Sequence, residues 1–363
     1  MKSIGSVKEN LDSEKRISIT PETTKKLIDL KFNVFLEKDY GSHLGITEEE
    51  YKNQGATLLN SAKEVLKKSD VILKVNYPSD KDTNSIKDKS ILIGQFDPFS
   101  DEEILNKLIN KGVKVFSLNL LPRITRAQSM DVLSSQANLA GYRAVIESVK
   151  EFNKAVPMMM TAAGTITPAK VLVIGAGVAG LQAIATAKRL GAIVSATDVR
   201  TVAKEQVESL GGKFLTIEGA ENLETTEGYA KEGGEDFKKK QTELLKNSVK
   251  KNDIIICTAL IPGKKAPLII KEEMINNMQP GSIIYDLAAS QGGNSAYTKV
   301  NETVQKNGIK ILGESNILNK LPTSASTLYA KNLYNFVLNL YDKKNNKINI
   351  NLEDEIIKNT LLK

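Results

Sequence analysis

A chain of 363 residues is long enough to form two domains of ordinary size. Hydrophobic content of 41% and charged content of 26% are those of a folded globular protein. The net charge of +7 comes from 50 Lys and Arg against 43 Asp and Glu, with no basic run interleaved with aromatics and no Trp, which excludes nucleic-acid binding as a reading.

The N-terminal region alternates strands and helices. Strands are predicted at Phe32–Leu36, Val71–Val75, Ile91–Phe96 and Val113–Leu118. Helices are predicted to start at Thr20-Pro21 and at two capping boxes, Thr47-Glu-Glu-Glu50 and Ser100-Asp-Glu-Glu103, and Gly112 reads as a helix C-cap. Within this region, Arg16 and Lys74 are candidates to bind a substrate carboxylate, and Lys74 ends a strand, where open sheets place active residues. The ordinary reading of both is a solvated surface cation. His43, the sole histidine, sits in a turn-like stretch and reads as a surface residue.

A polar segment follows, Leu121-Pro-Arg-Ile-Thr-Arg-Ala-Gln-Ser-Met-Asp-Val-Leu-Ser-Ser-Gln136, ahead of a helix over about 135–155. Arg123, Gln128, Asp131 and Ser134 within it suit hydrogen bonding to an amide and a ribose better than proton transfer. The plainer alternative is a helix N-terminus capped by Asp131 or Ser134.

The second region has predicted strands at 170–174, 192–197, 253–257, 282–286 and 309–312, again with helices between them. The fold class is therefore α/β, with two doubly wound parallel-sheet, Rossmann-like domains. Its first strand runs into Lys170-Val-Leu-Val-Ile-Gly-Ala-Gly-Val-Ala-Gly180, and its second ends in Asp198, eighteen residues past Gly180. Gly175 allows the tight turn, Gly177 lets the backbone approach a pyrophosphate, and Gly180 lets the helix pack on the sheet. A carboxylate at Asp198 suits the two hydroxyls of an NAD ribose and repels a 2′-phosphate. Arg200 nearby is a residue type that can serve NADP, but the acid comes first. The polar tract Glu218–Glu235 around Tyr229 reads as a long exposed loop.

Cys257, the sole cysteine, lies in an apolar run and is expected to be buried, so an internal disulfide is excluded. There is no metal-ligand cluster, no signal-peptide core and no membrane span; the uncharged segments 155–169 and 171–187 carry Pro, Gly, Thr or Gln. The tail Thr327–Tyr341 has a helical apolar face (Tyr329, Leu333, Phe336, Val337, Leu340), expected to return to the first domain. The expected division is 1–134 completed by about 325–363, and 135–324.

The block Pro122-Arg-Ile-Thr-Arg-Ala-Gln-Ser-Met-Asp-Val-Leu-Ser-Ser-Gln-Ala-Asn-Leu-Ala-Gly-Tyr-Arg-Ala144 closely resembles the signature of the NAD(H)-binding component (domain I, in the alpha subunit) of proton-translocating NAD(P) transhydrogenases. The resemblance extends to Arg16-Ile-Ser-Ile-Thr-Pro21, Met158–Thr161, the glycine fingerprint, Thr258-Ala-Leu-Ile-Pro-Gly263 and Asp286-Leu-Ala-Ala289. It implies direct hydride transfer, Si–Re (A–B) specific, between NAD(H) bound here and NADP(H) on a partner beta subunit. A membrane subunit would couple that transfer to proton translocation. By resemblance, Gln128 contacts the nicotinamide ribose and the incoming nucleotide, while Arg123, Asp131 and Ser134 hold the carboxamide. The NAD contacts are Gly175, Gly177, Val178, Gly180, Asp198 and Arg200, with Gly228, Gln241 and Leu260, and the loop around Tyr229 closes over the nucleotide. The resemblance further implies a homodimer. It places the chain in the cytoplasm, on the cytoplasmic face of the inner membrane through its partners and without inserting itself.

Departures are Ser290, where an acid is expected, and a slightly short mobile loop. The end at Lys363 matches the split-subunit arrangement, as would a shortened chain. The competing relatives are alanine dehydrogenases, which share residues like Arg16 and Lys74 and look to a histidine where this chain has Ile91-Leu-Ile-Gly-Gln-Phe-Asp-Pro98. A non-catalytic NAD-sensing module is the remaining alternative.

Overall fold

The computed structural model describes residues 2–97, 100–216, 234–261 and 264–362. The chain divides into two compact units, one of residues 1–136 with 318–363 and one of residues 137–317. Both are α/β.

The first unit holds six strands: β1 Ser3–Ser6, β2 Asn33–Glu37, β3 Thr57–Leu59, β4 Val71–Leu73, β5 Ile91–Gly94 and β6 Lys114–Ser117. All pair in parallel, in the order β3-β2-β1-β4-β5-β6. The order reverses at β1, so the carboxyl ends of β1 and β4 flank the switch point where such sheets hold ligands.

Strand β1 carries no apolar run, which is why periodicity misses it. Its polar residues are buried but hydrogen-bonded. Ser6 Oγ donates to Leu73 O at 2.7 Å and pairs with the Tyr40 hydroxyl at 2.7 Å, and Ser3 Oγ donates to Lys68 O at 2.9 Å. Such partners offset the cost of burying a hydroxyl.

Thr20 and Thr47 cap their helices as capping boxes. The expected box at Ser100 does not form. Helix Glu102–Asn110 starts from Asp101, whose backbone is left-handed at φ 55°, with no side-chain cap. A box needs an extended cap residue. Ser100 Oγ instead donates to the Asp101 carboxylate at 3.2 Å.

Helix Pro322–Leu340 lays Tyr329, Leu333, Phe336, Val337 and Leu340 into the same core as Ile4, Val34, Val71 and Phe116. The Tyr329 hydroxyl donates to Lys74 O at 2.8 Å.

The second unit opens on helical residues 137–151 and a hairpin, β7 Met159–Thr161 and β8 Gly164–Ile166, whose residues are all exposed. The sheet follows: β9 Lys170–Ile174, β10 Ile193–Thr197, β11 Lys213–Phe214, β12 Ile254–Cys257, β13 Ile283–Asp286, β14 Glu302–Lys306 and β15 Ile309–Gly313. Its order is β11-β10-β9-β12-β13-β15-β14, parallel except for the antiparallel edge strand β14. Strands β12 and β13 are buried along their whole length, as central parallel strands covered on both faces must be, and Cys257 packs there as a small hydrophobe.

Phe336 is wholly buried against Phe116, with ring centroids 5.5 Å apart. Phe336→Ala should destabilise the first unit by about 3–5 kcal/mol, read as a lower urea midpoint for that unit's transition.

Candidate functional site

Strand β9 ends at Ile174, and the chain turns through Gly175 at φ 92°, a left-handed backbone that favours glycine. A Cβ on Gly180 would stand 1.8 Å from Gly175 O, so a side chain there cannot coexist with this turn. Gly177 differs from both. Its backbone is extended at φ −74°, and the nearest atom to a Cβ would be Arg200 Nη2, at 3.9 Å. Among the described residues, nothing therefore demands glycine at 177. The lack of a side chain leaves room for something outside the chain. Gly177 is the N-cap of helix Val178–Arg189 and no side chain caps that end. First-turn amides and the helix dipole there suit a pyrophosphate. Val178, the first residue of the helix, is exposed.

Asp198 follows β10. Its Oδ2 accepts from Ala176 N at 2.7 Å and from Arg200 Nη2 at 2.9 Å; its Oδ1 accepts from Arg200 N and Nε, each at 2.9 Å. Burial raises the pKa of this carboxyl, but the Arg200 guanidinium and the amides of Arg200 and Ala176 together outweigh burial and hold it below the usual carboxylate range. The acid is charged, and Arg200 is its ion-pair partner. Gln241 lies half-buried on helix Glu235–Val249, and Leu260 is exposed after β12. Gly228 and Tyr229 lie outside the described residues.

Sequence reading missed the network behind this turn. Thr258 Oγ1 donates to Gly175 O at 2.9 Å and Ile174 O at 3.1 Å. Asn294 grips the next residue from both sides, accepting from Ala259 N at 3.1 Å and donating to Ala259 O at 2.8 Å. Buried Asp286 in turn accepts from the amides of Ala288, Asn294 and Ser295 and from Thr298 Oγ1. Burial still pushes its carboxyl above the usual range, against these four bonds. The signal for both lay in the runs Asp286-Leu-Ala-Ala289 and Gly292-Gly-Asn294, but sequence does not reveal what an Asn side chain reaches. Ser290 is exposed on the 3-10 turn between them.

In the first unit, the polar segment forms a six-residue 3-10 turn, Thr125–Met130, followed by helix Val132–Glu151. Asp131 is the helix cap: Ser134 N donates to its Oδ1 at 2.9 Å and Ser134 Oγ to its Oδ2 at 2.5 Å. Asp131 and Ser134 are thus one hydrogen-bonded pair. Ala127 and Met130 anchor the turn in the core, while Arg123 and Gln128 are exposed.

The solvated-cation reading of Arg16 and Lys74 is corrected. Both are buried, at 6% and 3% exposure. Arg16 pairs with Glu14 through Nε at 2.9 Å and Nη2 at 2.8 Å, and Lys74 with Glu9 at 3.1 Å. Burial raises the Glu9 carboxyl, opposed by Lys74. Cations buried this far require such partners. His43 rests Nε2 2.8 Å from Lys15 O. Among the described residues no His, Cys, Asp and Glu group has metal-ligand geometry, and no helix is long and apolar enough to cross a membrane.

Two doubly wound sheets, one carrying a glycine turn, an open helix N-terminus and an acid at the neighbouring strand end, define a dinucleotide-binding α/β protein of the two-domain kind. The chain belongs to the alanine dehydrogenase/PNT family: residues 5–140 match the model of its N-terminal domain and residues 144–363 that of its C-terminal domain. It is 48% identical over 360 residues to an NAD(P) transhydrogenase subunit alpha polypeptide of Rhodospirillum rubrum, covering 97% of this chain and 94% of that one. The crystal structure of a transhydrogenase from Sinorhizobium meliloti superposes with a TM-score of 0.90 at 43% identity, over 99% of this chain and 98% of the other. An L-alanine dehydrogenase structure superposes at 0.82 with 20% identity, over 99% and 94%, and shares the fold.

Gly177→Ser tests the reading of the turn. Serine suits a helix N-cap, so thermal unfolding should match the parent, while NADH affinity by fluorescence titration should fall at least about tenfold. A variant that binds NADH as tightly as the parent would refute the pyrophosphate position.

Proposed function

We propose that the chain is the NAD(H)-binding subunit of a proton-translocating NAD(P) transhydrogenase. NAD(H) binds through Gly175, Gly177, Val178, Gly180, Asp198 and Arg200, with Gly228, Gln241 and Leu260 completing its contacts. A hydride, with its electron pair, leaves C4 of the dihydronicotinamide and arrives at C4 of an NADP⁺ held by a partner beta subunit. NADH and NADP⁺ become NAD⁺ and NADPH, and the exchange is reversible. No proton is released in this exchange, so the chain needs no general base. Its work is proximity and orientation. Arg123 and the Asp131–Ser134 pair hold the carboxamide, and Gln128 the ribose and the incoming nucleotide. Transfer is Si–Re specific, and a membrane subunit couples it to proton movement.

The reading rests on one observation above the others: the 122–134 segment presents exposed hydrogen-bonding side chains around a capped turn, in a chain similar along its length to transhydrogenase alpha subunits. The exposed Met158, Met159, Met160 and Ile166 of the hairpin region support a homodimer, because apolar side chains gathered on a surface mark a contact face. The proposed location is cytoplasmic, peripheral to the inner membrane through partner subunits.

Mixing this chain, NADH and an NADP⁺ analogue with a purified NADP-binding subunit should give analogue reduction that requires both proteins. Gln128→Ala should slow it about a hundredfold, as loss of orientation does. Turnover of pyruvate, ammonium and NADH by this chain alone would establish the alanine dehydrogenase alternative instead.

A further inference from the structure

Arg126 stands two residues before Gln128 in the signature segment. Its partner lies within the chain. Its Nη1 donates to Asp354 Oδ2 at 2.7 Å and its Nη2 to Asp354 Oδ1 at 2.6 Å, a two-pronged pair, and Nη1 also reaches Asn339 Oδ1 at 3.0 Å.

Asp354 is itself anchored. It caps the helix Glu355–Thr360 by accepting from Ile356 N at 2.9 Å. Ile356 and Ile357 of that helix are buried, and the chain then bridges to β6, Leu361 opposite Phe116, with Leu362 N donating to Val115 O at 2.8 Å. On the other side of Gln128, Ser129 O accepts from Asn332 Nδ2 and Asn335 Nδ2, each at 2.9 Å. Asn332 Oδ1 also accepts from Ser135 Oγ at 2.7 Å. Side chains of the C-terminal segment thus hold the turn on both flanks of Gln128.

A six-residue 3-10 turn has poor internal hydrogen bonds, so external contacts decide where it sits. Isolated exposed ion pairs contribute little. This pair is bidentate, shares its carboxylate with a helix cap and is joined by Asn339, which confers geometry that a lone pair lacks. Arg126 holds the Asp354 carboxyl down to about 2, so the pair stays charged at any pH of assay.

We infer that Arg126 and Asp354 are positioning residues: a clamp between the signature turn and the C-terminal segment that sets the placement of Gln128 and thereby the rate of hydride transfer. The rate claim rests on the transhydrogenase reading; the clamp itself does not.

Asp354→Asn is the informative variant, because asparagine caps a helix as well as aspartate but carries no charge. Two measurements apply to the full chain. Deuterium uptake of the peptide spanning 125–131 should speed at least about fivefold in D354N, as the turn opens locally. With the NADP-binding subunit present, first-turnover hydride transfer at saturating NADH should fall about tenfold, with the NADH dissociation constant changed less than about twofold. Arg126→Lys, which keeps the charge and loses the fork, should fall between parent and D354N in both. Uptake and transfer that both match the parent in D354N would overturn the clamp. If the parent itself transfers no hydride, the transhydrogenase reading falls. Uptake then decides alone: faster exchange in D354N sustains the clamp, and unchanged exchange overturns it.

Discussion

The second unit is organised by backbone touching backbone. Gly175 O lies where any side chain at position 180 would stand, and Ala179 O lies 2.0 Å from where a Cβ on Gly141 would be. These two approaches seat the helix Val178–Arg189 between the strand end that precedes it and the helical residues 137–151. The other elements of the glycine turn answer to that seating. Thr258 hydrogen-bonds the same carbonyl, Gly175 O, and Asn294, held by Asp286, fixes the residue after Thr258. Asp198 receives the amide of Ala176, the residue inside the turn. These contacts surround one position, Gly177, where a Cβ would meet no described atom nearer than Arg200 Nη2 at 3.9 Å.

The first unit solves a different problem. Its strand order reverses at β1, a strand with two serines and a glycine, and beyond the carboxyl ends of β1 and β4 stand four charged residues, Glu9, Glu14, Arg16 and Lys74. The side chains of all four are buried and paired. A low-dielectric interior makes each ion expensive alone and tolerable in pairs. The same unit displays its signature residues on a short turn held from outside by the C-terminal segment. Four charges are buried in pairs, while Arg123 and Gln128 of the signature turn stay exposed.

The parallel α/β class was legible because β9, β12, β13 and their counterparts are apolar runs separated by helical periods. What was not legible had specific causes. Strand β1 escaped because its burial depends on hydroxyl partners at Leu73, Tyr40 and Lys68. The edge strand β14, Glu302–Lys306, is polar and half-exposed, with no alternation to read. Ser100 satisfied the letter of a capping box, but a left-handed Asp101 moved the helix start by one residue. Arg16 and Lys74 resembled solvated cations because their partners, Glu14 and Glu9, were not visible as partners in a list of charges. For the candidate site, the glycine turn and its acid could be named residue by residue. Asn294 and Asp354 could not, since their roles depend on what lies across space.

Sequence alone thus determined what depends on near neighbours: where strands and helices alternate, which glycines make the turn, and that an acid ends the strand beside it. Backbone sterics and side-chain periodicity act over a few residues, so a linear reading captures them. The folded structure decided which charges are buried in pairs, that Arg200 engages Asp198, and that Arg126 turns to Asp354. These pairings join residues from two to 228 positions apart. Electrostatics and hydrogen bonding choose partners by distance in space, which the folded chain sets and the order of residues does not display.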